Sequence, residues 1–144
     1  IKVIIKMNWF WLAFISLLLF AGVTLVQKRL LNLGIHPVIF GLYLMAFAFI
    51  GFLATAIITK QKIMIPNAWI ILLILAGLLA LFGNLAATYS FKFAANPGYT
   101  QAIISASGIA ILFASVFLFK SELTTIKLIG VLLTTIGVIL IGWK

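Results

Sequence analysis

The chain has 144 residues, of which 66% are hydrophobic and 8% are charged, and its formal net charge is +9. This composition excludes a soluble globular domain, because such domains contain about 25% charged residues. The basic residues stand singly or in pairs between long apolar stretches and never gather on one face. They therefore indicate anchors at lipid headgroups and not a nucleic-acid surface.

Five apolar stretches predict five transmembrane helices, over residues 8–28, 37–59, 67–93, 97–119 and 124–143. Each stretch is close to the ~20 residues that a helix needs to cross ~30 Å of hydrocarbon. Every charge lies between the stretches or within four residues of the end of one, which avoids the ~2.5–3.5 kcal/mol that a lysine costs at the membrane centre. The first stretch has no small-residue cleavage site after a short core, so it is expected to be a retained span. The predicted fold is an all-α, polytopic bundle of five transmembrane helices in the cell membrane.

Proline and histidine positions support these boundaries. Pro37, Pro66 and Pro97 each stand at the start of a predicted span, where a missing backbone N–H removes no helical hydrogen bond. His36 is the lone histidine and directly precedes Pro37, so we predict that it caps the second helix or lies at the interface. No second histidine and no cysteine could complete a metal site with it. We expect neither a metal nor another cofactor.

Five crossings would place the two ends of the sequence on opposite sides of the membrane. The basic residues divide almost evenly between the two sets of connections, so charge bias does not fix one orientation. A chain that inserts in both orientations can form an antiparallel homodimer.

The third and fourth spans carry most of the intramembrane polar residues. Asn84 and Thr88 lie four positions apart on one helical face of the third span, and Tyr89 follows directly. Gln101 and Ser105 share a face of the fourth span in the same way. An amide buried in hydrocarbon must find hydrogen-bond partners, either on a neighbouring helix or in a water-filled path. Both interpretations stay open for these amides.

The fifth span carries small residues along one side. Gly130, Thr134 and Gly137 form a seam there, and small residues let helices approach closely in lipid. We predict that this seam is a helix-packing or dimer contact. In the second span, Tyr43 offers an aromatic ring to the bundle.

The reactive side chains argue against an enzyme. Glu122 is the one acidic residue, and we predict that it stands in a first helical turn and pairs with neighbouring lysines. Paired-carboxylate catalysis is impossible with one carboxylate. A nucleophile, base and orienting group would require Glu122 and His36 to converge from separate connections. The sequence also has no glycine-rich phosphate loop.

Residues 83–144 resemble the second half of an EamA-type repeat of the drug/metabolite transporter superfamily. The most specific part is Glu122-Leu123-Thr124, which precedes a helix in which six residues separate Gly130 from Gly137. Other segments that carry the resemblance are Tyr89-Ser90-Phe91-Lys92, Asn96-Pro97-Gly98-Tyr99 and Phe117-Leu118-Phe119-Lys120. The first half of the chain agrees with this repeat in the number and spacing of its spans.

The resemblance implies a five-helix repeat and a solute path between two repeats, lined in part by the third and fourth helices. The fifth helix would help to pair the halves, and many members fuse two inverted repeats into ten helices. This chain contains one repeat, and its first span lacks the glutamate that the smaller multidrug-resistance relatives carry there. The resemblance therefore implies neither a substrate nor a coupling ion.

The leading hypothesis is a transporter of a small organic solute or metabolite, working by alternating access as a homodimer or with a related repeat. The residues predicted to lie along the solute path are Asn84, Thr88, Gln101, Ser105, Tyr43 and Tyr89. One alternative is a non-transporting membrane subunit, which presents lipid-linked material or scaffolds a complex. Another is half of a ten-helix transporter, an expectation that the start at Ile1 rather than at a methionine favours.

Overall fold

The computed structural model describes residues 8–120 and 124–143. Its elements are α1 (Trp9–Asn32), α2 (Pro37–Ile58), a 3₁₀ turn (Asn67–Trp69), α3 (Ile70–Phe93), α4 (Pro97–Ser105), α5 (Ser107–Phe119) and α6 (Thr125–Gly142). Neither described range contains a strand, so the predicted all-α class is confirmed. The contacts divide the chain into two compact units, Ile1–Phe93 and Ala94–Lys144.

The lengths of the helices suit a bilayer. In the described part of the chain, four segments are long and apolar enough to cross one: Phe10–Asn32, Pro37–Ile58, Asn67–Phe93 and Pro97–Leu118. A shorter apolar helix, Thr125–Ile141, corresponds to the fifth predicted span. At 1.5 Å per residue, α6 rises about 27 Å, close to the thickness of the hydrocarbon core. The predicted membrane bundle of about five helices is therefore confirmed.

Polar caps and prolines fix where two of the helices begin. His36 Nδ1 accepts a hydrogen bond of 3.3 Å from the N–H of Val38, which confirms the predicted capping role. Asn96 caps α4, because its side-chain oxygen accepts a hydrogen bond of 2.8 Å from the N–H of Gly98. Pro37 and Pro97 are the first residues of their helices, where the absent N–H costs nothing.

The first helix is longer than its apolar stretch. It runs to Asn32, beyond the predicted end at residue 28, so Lys28 and Arg29 belong to its last turns. Cations are favoured at this end because the helix dipole is negative there, and their long side chains can reach the interface. The connection to α2 turns at Gly34, whose φ of +98° lies in the left-handed region that glycine adopts without a steric penalty.

The fourth predicted span is divided at Ala106. The N–H of Ala106 is shared between the carbonyls of Ile103 at 3.1 Å and Ala102 at 3.3 Å, and the N–H of Ile109 donates to the carbonyl of Ala106 at 2.9 Å. The bonds to Ile103 and from Ile109 join residues three apart, which is the tighter 3₁₀ pattern. The surrounding residues Ser105 and Gly108 are small and are weaker helix formers than alanine or leucine. The span therefore consists of α4 and α5.

Each unit has its own packing. In the first unit, α1, α2 and α3 contact one another, and Leu31, Phe40 and Phe91 are buried. Large apolar side chains cover its outer faces, as Phe52 does with 79% of its surface exposed. In the second unit, α6 packs against α4. Lipid tails solvate such outer faces, so their exposure fits a membrane environment.

Candidate functional site

A buried polar contact joins α1 to α3 in the first unit. Gln27 Nε2 donates a hydrogen bond of 3.1 Å to Thr88 Oγ1, and both side chains are buried. The Thr88 hydroxyl in turn donates to the carbonyl of Asn84 at 2.7 Å. This hydroxyl is both donor and acceptor inside the unit. The structure thus places Thr88, a predicted path residue, against a side chain of another helix.

A lysine caps the end of α3 from the neighbouring helix. Lys28 Nζ lies 3.0 Å from the carbonyl oxygen of Phe91 and 3.5 Å from that of Lys92. The last four carbonyls of an α-helix lack partners within the helix and carry its negative partial charge. The ammonium therefore ties the last turns of α1 and α3 together.

Tyr89 belongs to an aromatic group at the same end of the first unit. Its half-buried ring lies 6.3 Å from the ring of His36, with an interplanar angle of 87°. It also stacks on Phe93 at 6.4 Å. Edge-to-face and stacked rings at these distances attract each other. Tyr89 thus packs on the cap of α2 and on the last turn of its own helix.

Asn84 and Tyr43 lie on the surface of the first unit. Asn84 Nδ2 donates to the carbonyl of Ala80 in its own helix at 2.8 Å, and its side chain is exposed. Tyr43 is 63% exposed. Both side chains are thus exposed on the first unit, and their roles along a solute path stay predictions.

An open groove lies between the fourth and fifth spans in the second unit. Its volume is about 380 Å³. The residues that line it are Ser105, Gly108, Ile109, Leu112, Lys127, Gly130, Val131 and Thr134. Ser105 was predicted to line a solute path, whereas Gly130 and Thr134 were predicted to form a packing seam. The structure brings the three together in one groove.

The glycines of the groove leave space beside them. A Cβ added at Gly108 or at Gly130 would meet no atom within 4 Å, and the same is true of Gly137 farther along α6. Small residues are required at a helix contact only where two backbones approach closely. The described residues make no such approach at these glycines. The predicted seam therefore faces open space, which a second chain or a ligand could occupy.

The polar groups of the groove lie at its two ends. Thr134 Oγ1 donates to the carbonyl of Gly130 at 2.8 Å, which leaves its lone pairs as acceptors. No hydrogen bond from the Ser105 hydroxyl occurs within the described ranges. Gln101 stands one turn before Ser105 and is half-buried. Lys127 is exposed and is the one charged residue among the described residues of the lining.

Sequence reasoning missed two residues that the structure makes prominent. Gln27, near the end of the first predicted span, was not singled out, because its partner Thr88 lies 61 positions away. Lys127, near the start of the fifth predicted span, was not singled out either. A signal for it did exist, because Lys127, Gly130 and Thr134 follow a spacing of three and four and so share a helical face.

Potential metal ligands do not cluster in the described part of the chain. Within residues 8–120 and 124–143, no group of three His, Cys, Asp or Glu side chains could hold a metal ion. Glu122, which was predicted to pair with local lysines, lies outside the described residues.

Comparison with known proteins identifies the family. The sequence pattern of the EamA-like transporter family matches residues 7–143. The chain belongs to the EamA-like transporter family. The match covers both halves of the repeat, including the first three helices, in which only the number and spacing of spans had been recognised.

Membership in the EamA-like family makes this an integral membrane protein of transporter type. The members of this family are transporters and not enzymes, which agrees with the lack of a catalytic set in the sequence. No curated protein and no solved structure shows a significant match to this EamA-like chain.

Proposed function

We propose that this chain moves a small organic solute across the cell membrane by alternating access, as one of two paired five-helix repeats. Membership in the EamA-like transporter family supports the general activity. Paired repeats that rock around a site near the midplane are a common transporter design. The partner would be a second copy of the chain or a related repeat. In a fused ten-helix transporter, this sequence would be one half, and the two halves would pair in the same way as two separate repeats.

The open groove of the second unit carries the proposal. Ser105 and Thr134, which both line it, stand near the middle of the spans Pro97–Leu118 and Thr125–Gly142. At this depth a hydroxyl finds no headgroup or bulk water, and beyond the bond that Thr134 makes to its own helix, these hydroxyls can bind a solute or water that enters the groove. The groove is open on one side, and a facing repeat would close it.

Other predicted path residues can contribute from their own units. Asn84 is exposed on α3 and keeps one hydrogen bond to its own helix. Gln101 lies on α4, one turn before the groove residue Ser105. The proposal assigns both amides to hydrogen bonds with the solute, in addition to the bonds they make in the chain.

Flux through proteoliposomes tests the proposal. The purified full chain would be reconstituted and screened for counterflow with radiolabelled amino acids, organic acids, amines and nucleosides. For any solute that accumulates, Asn84→Leu, Gln101→Leu and Ser105→Leu are expected to lower the initial rate at least about tenfold, because each removes a polar contact at the site. Asn32→Leu is a matched control at an exposed helix end and should leave the rate unchanged.

Two results would overturn the proposal. If no labelled solute accumulates above protein-free liposomes, the non-transporting subunit becomes the better account of the same helices. If a solute accumulates but all three leucine variants transport at the wild-type rate, with unchanged helicity and elution volume, the assigned path is wrong.

A further inference from the structure

We propose that the groove of the second unit binds a small organic anion, with its carboxylate at Lys127 and an apolar body between α5 and α6. This inference rests on the proposed transport function and names its substrate class. The groove would select among solutes by the sign of their charge.

The charge of the described lining has one sign. Among the described residues that line the groove, Lys127 is the one charged residue and none carries a carboxylate. It is also the third residue of α6, where the unpaired N–H groups of a helix start add positive potential. Both contributions attract an anion and repel a protonated amine. The whole sequence contains ten basic residues and one acidic residue, Glu122, which lies outside the described residues, so a second copy of the chain would bring little further negative charge to Lys127.

The middle of the groove is apolar and has free volume. Ile109, Leu112 and Val131 form its walls, while Gly108 and Gly130 add no side chain. An added Cβ at either glycine would touch nothing within 4 Å. A volume of about 380 Å³ lies in the range of small-molecule sites. These walls fit a short, branched aliphatic body better than a polar or strongly hydrated one.

The length of the groove sets the size of the solute. Thr134 lies seven positions after Lys127, which is about 10 Å along the helix axis. A carboxylate at Lys127 therefore places a body of a few carbons beside Val131. A longer solute would reach the hydroxyls of Ser105 and Thr134 at the inner end, where a further polar group could be hydrogen-bonded.

Three ligands that share one aliphatic body test the charge preference. Isocaproate, isocaproamide and isoamylamine present a carboxylate, a neutral amide and an ammonium on the same branched chain. Their binding to the purified full chain in a non-ionic detergent would be measured by isothermal titration calorimetry. Isocaproate is expected to bind at least about tenfold more tightly than the amide, because the charge-assisted contact is lost. The amine should bind most weakly. Equal binding of amine and acid would overturn the proposal.

Variants separate a built site from diffuse attraction to a basic protein. Lys127→Gln should reduce isocaproate affinity about tenfold, whereas Lys127→Arg should keep most of it. Lys62→Gln removes the same charge from an exposed connection in the first unit and should change nothing. Gly130→Leu fills the groove without altering charge and should abolish binding. An equal loss in the Lys62 and Lys127 variants would overturn the assignment.

Lipid competition and transport measurements separate the anion site from a lipid site and from a failure of the transport function. If phosphatidylglycerol displaces isocaproate while phosphatidylcholine does not, the groove is a lipid site and the solute assignment is overturned. If isocaproate binds through Lys127 but does not enter proteoliposomes, the anion site is supported and the transport function is refuted. If amines are transported at a rate that Lys127→Gln leaves unchanged, transport stands and the anion preference is overturned.

Discussion

Gln27 on α1 and Thr88 on α3 form a buried side-chain hydrogen bond of 3.1 Å, across 61 positions of the sequence. Lys28, the next residue on α1, reaches the carbonyl of Phe91 one turn farther along α3. Apolar contacts between helices give little net stability in lipid, because lipid tails are as apolar as leucine. These two polar contacts therefore specify which ends of α1 and α3 meet.

Removing either partner of the Gln27–Thr88 bond should destabilise the protein, but by unequal amounts. Thr88→Val leaves a buried amide without its acceptor and is expected to cost about 1–3 kcal/mol. Gln27→Leu leaves a threonine that still donates to the carbonyl of Asn84, so it should cost only about 1 kcal/mol. Both losses would be measured by unfolding the purified chain in mixed micelles that contain an increasing fraction of sodium dodecyl sulfate.

A double-mutant cycle provides the control for that pair. The Gln27→Leu, Thr88→Val double variant should lose less stability than the sum of the two single variants, because the shared bond is removed only once. Additive losses would show that the two side chains do not interact in the folded protein.

Lys28→Met should weaken the attachment of α1 to α3. The methionine keeps most of the apolar stem but cannot donate to the carbonyls at the end of α3, so a loss of about 1 kcal/mol is expected. Arg29→Met is the matched control, since this neighbouring cation is exposed. The two variants can be compared in the same unfolding assay. Equal losses would mean that Lys28 acts only as a headgroup anchor.

Gly34→Ala should destabilise the connection between α1 and α2. At a φ of +98° an alanine Cβ is strained, and a cost of about 1–2 kcal/mol is expected even though the space beside the residue is open. Gly51→Ala serves as the control, because Gly51 is helical and has open space beside it, so the alanine should be neutral or stabilising. If the two variants were equally stable, the left-handed turn at Gly34 would be refuted.

Replacing either of two lysines at helix ends by glycine should stabilise the protein. Lys60 and Lys120 have φ values of +53° and +50°, in the left-handed region that costs a non-glycine residue about 1–2 kcal/mol. Lys60→Gly and Lys120→Gly are each expected to gain about 1 kcal/mol in the mixed-micelle assay. Lys62→Gly removes the same charge from a residue without positive φ and should not stabilise. If Lys62→Gly stabilised the protein by as much, the gain would come from the loss of charge and not from the backbone conformation.

Most of the fold could be predicted from the sequence, because hydropathy and helix-start chemistry are local properties. The charges between apolar stretches fixed the number of spans, and His36 with Pro37 gave the start of α2. Helix α1 continues past residue 28, the predicted end of the first span, because Lys28 and Arg29 are polar yet helical and their charge is favoured at a helix C-terminus. The interruption at Ala106 escaped notice because no proline marks it.

The candidate site was only partly predictable, because its contacts join residues far apart in the chain. Ser105 was singled out for its polarity, and Gly130 and Thr134 for their size. That they line one groove depends on how the fourth and fifth spans pack. The role of Lys127 depends on the same packing. A residue's polarity identifies it as unusual in a membrane, but its neighbours decide what it does.

The account depends most on an odd number of membrane crossings, since paired inverted repeats require it. The sequence contains no cysteine, so one cysteine added before residue 1 and one after residue 144 would be the only thiols. Sealed proteoliposomes would be treated with a membrane-impermeant maleimide, and intact mass would count the labels on each molecule. The account predicts one label on every molecule, whichever way it is inserted. A mixture of molecules with two labels and with none would contradict it.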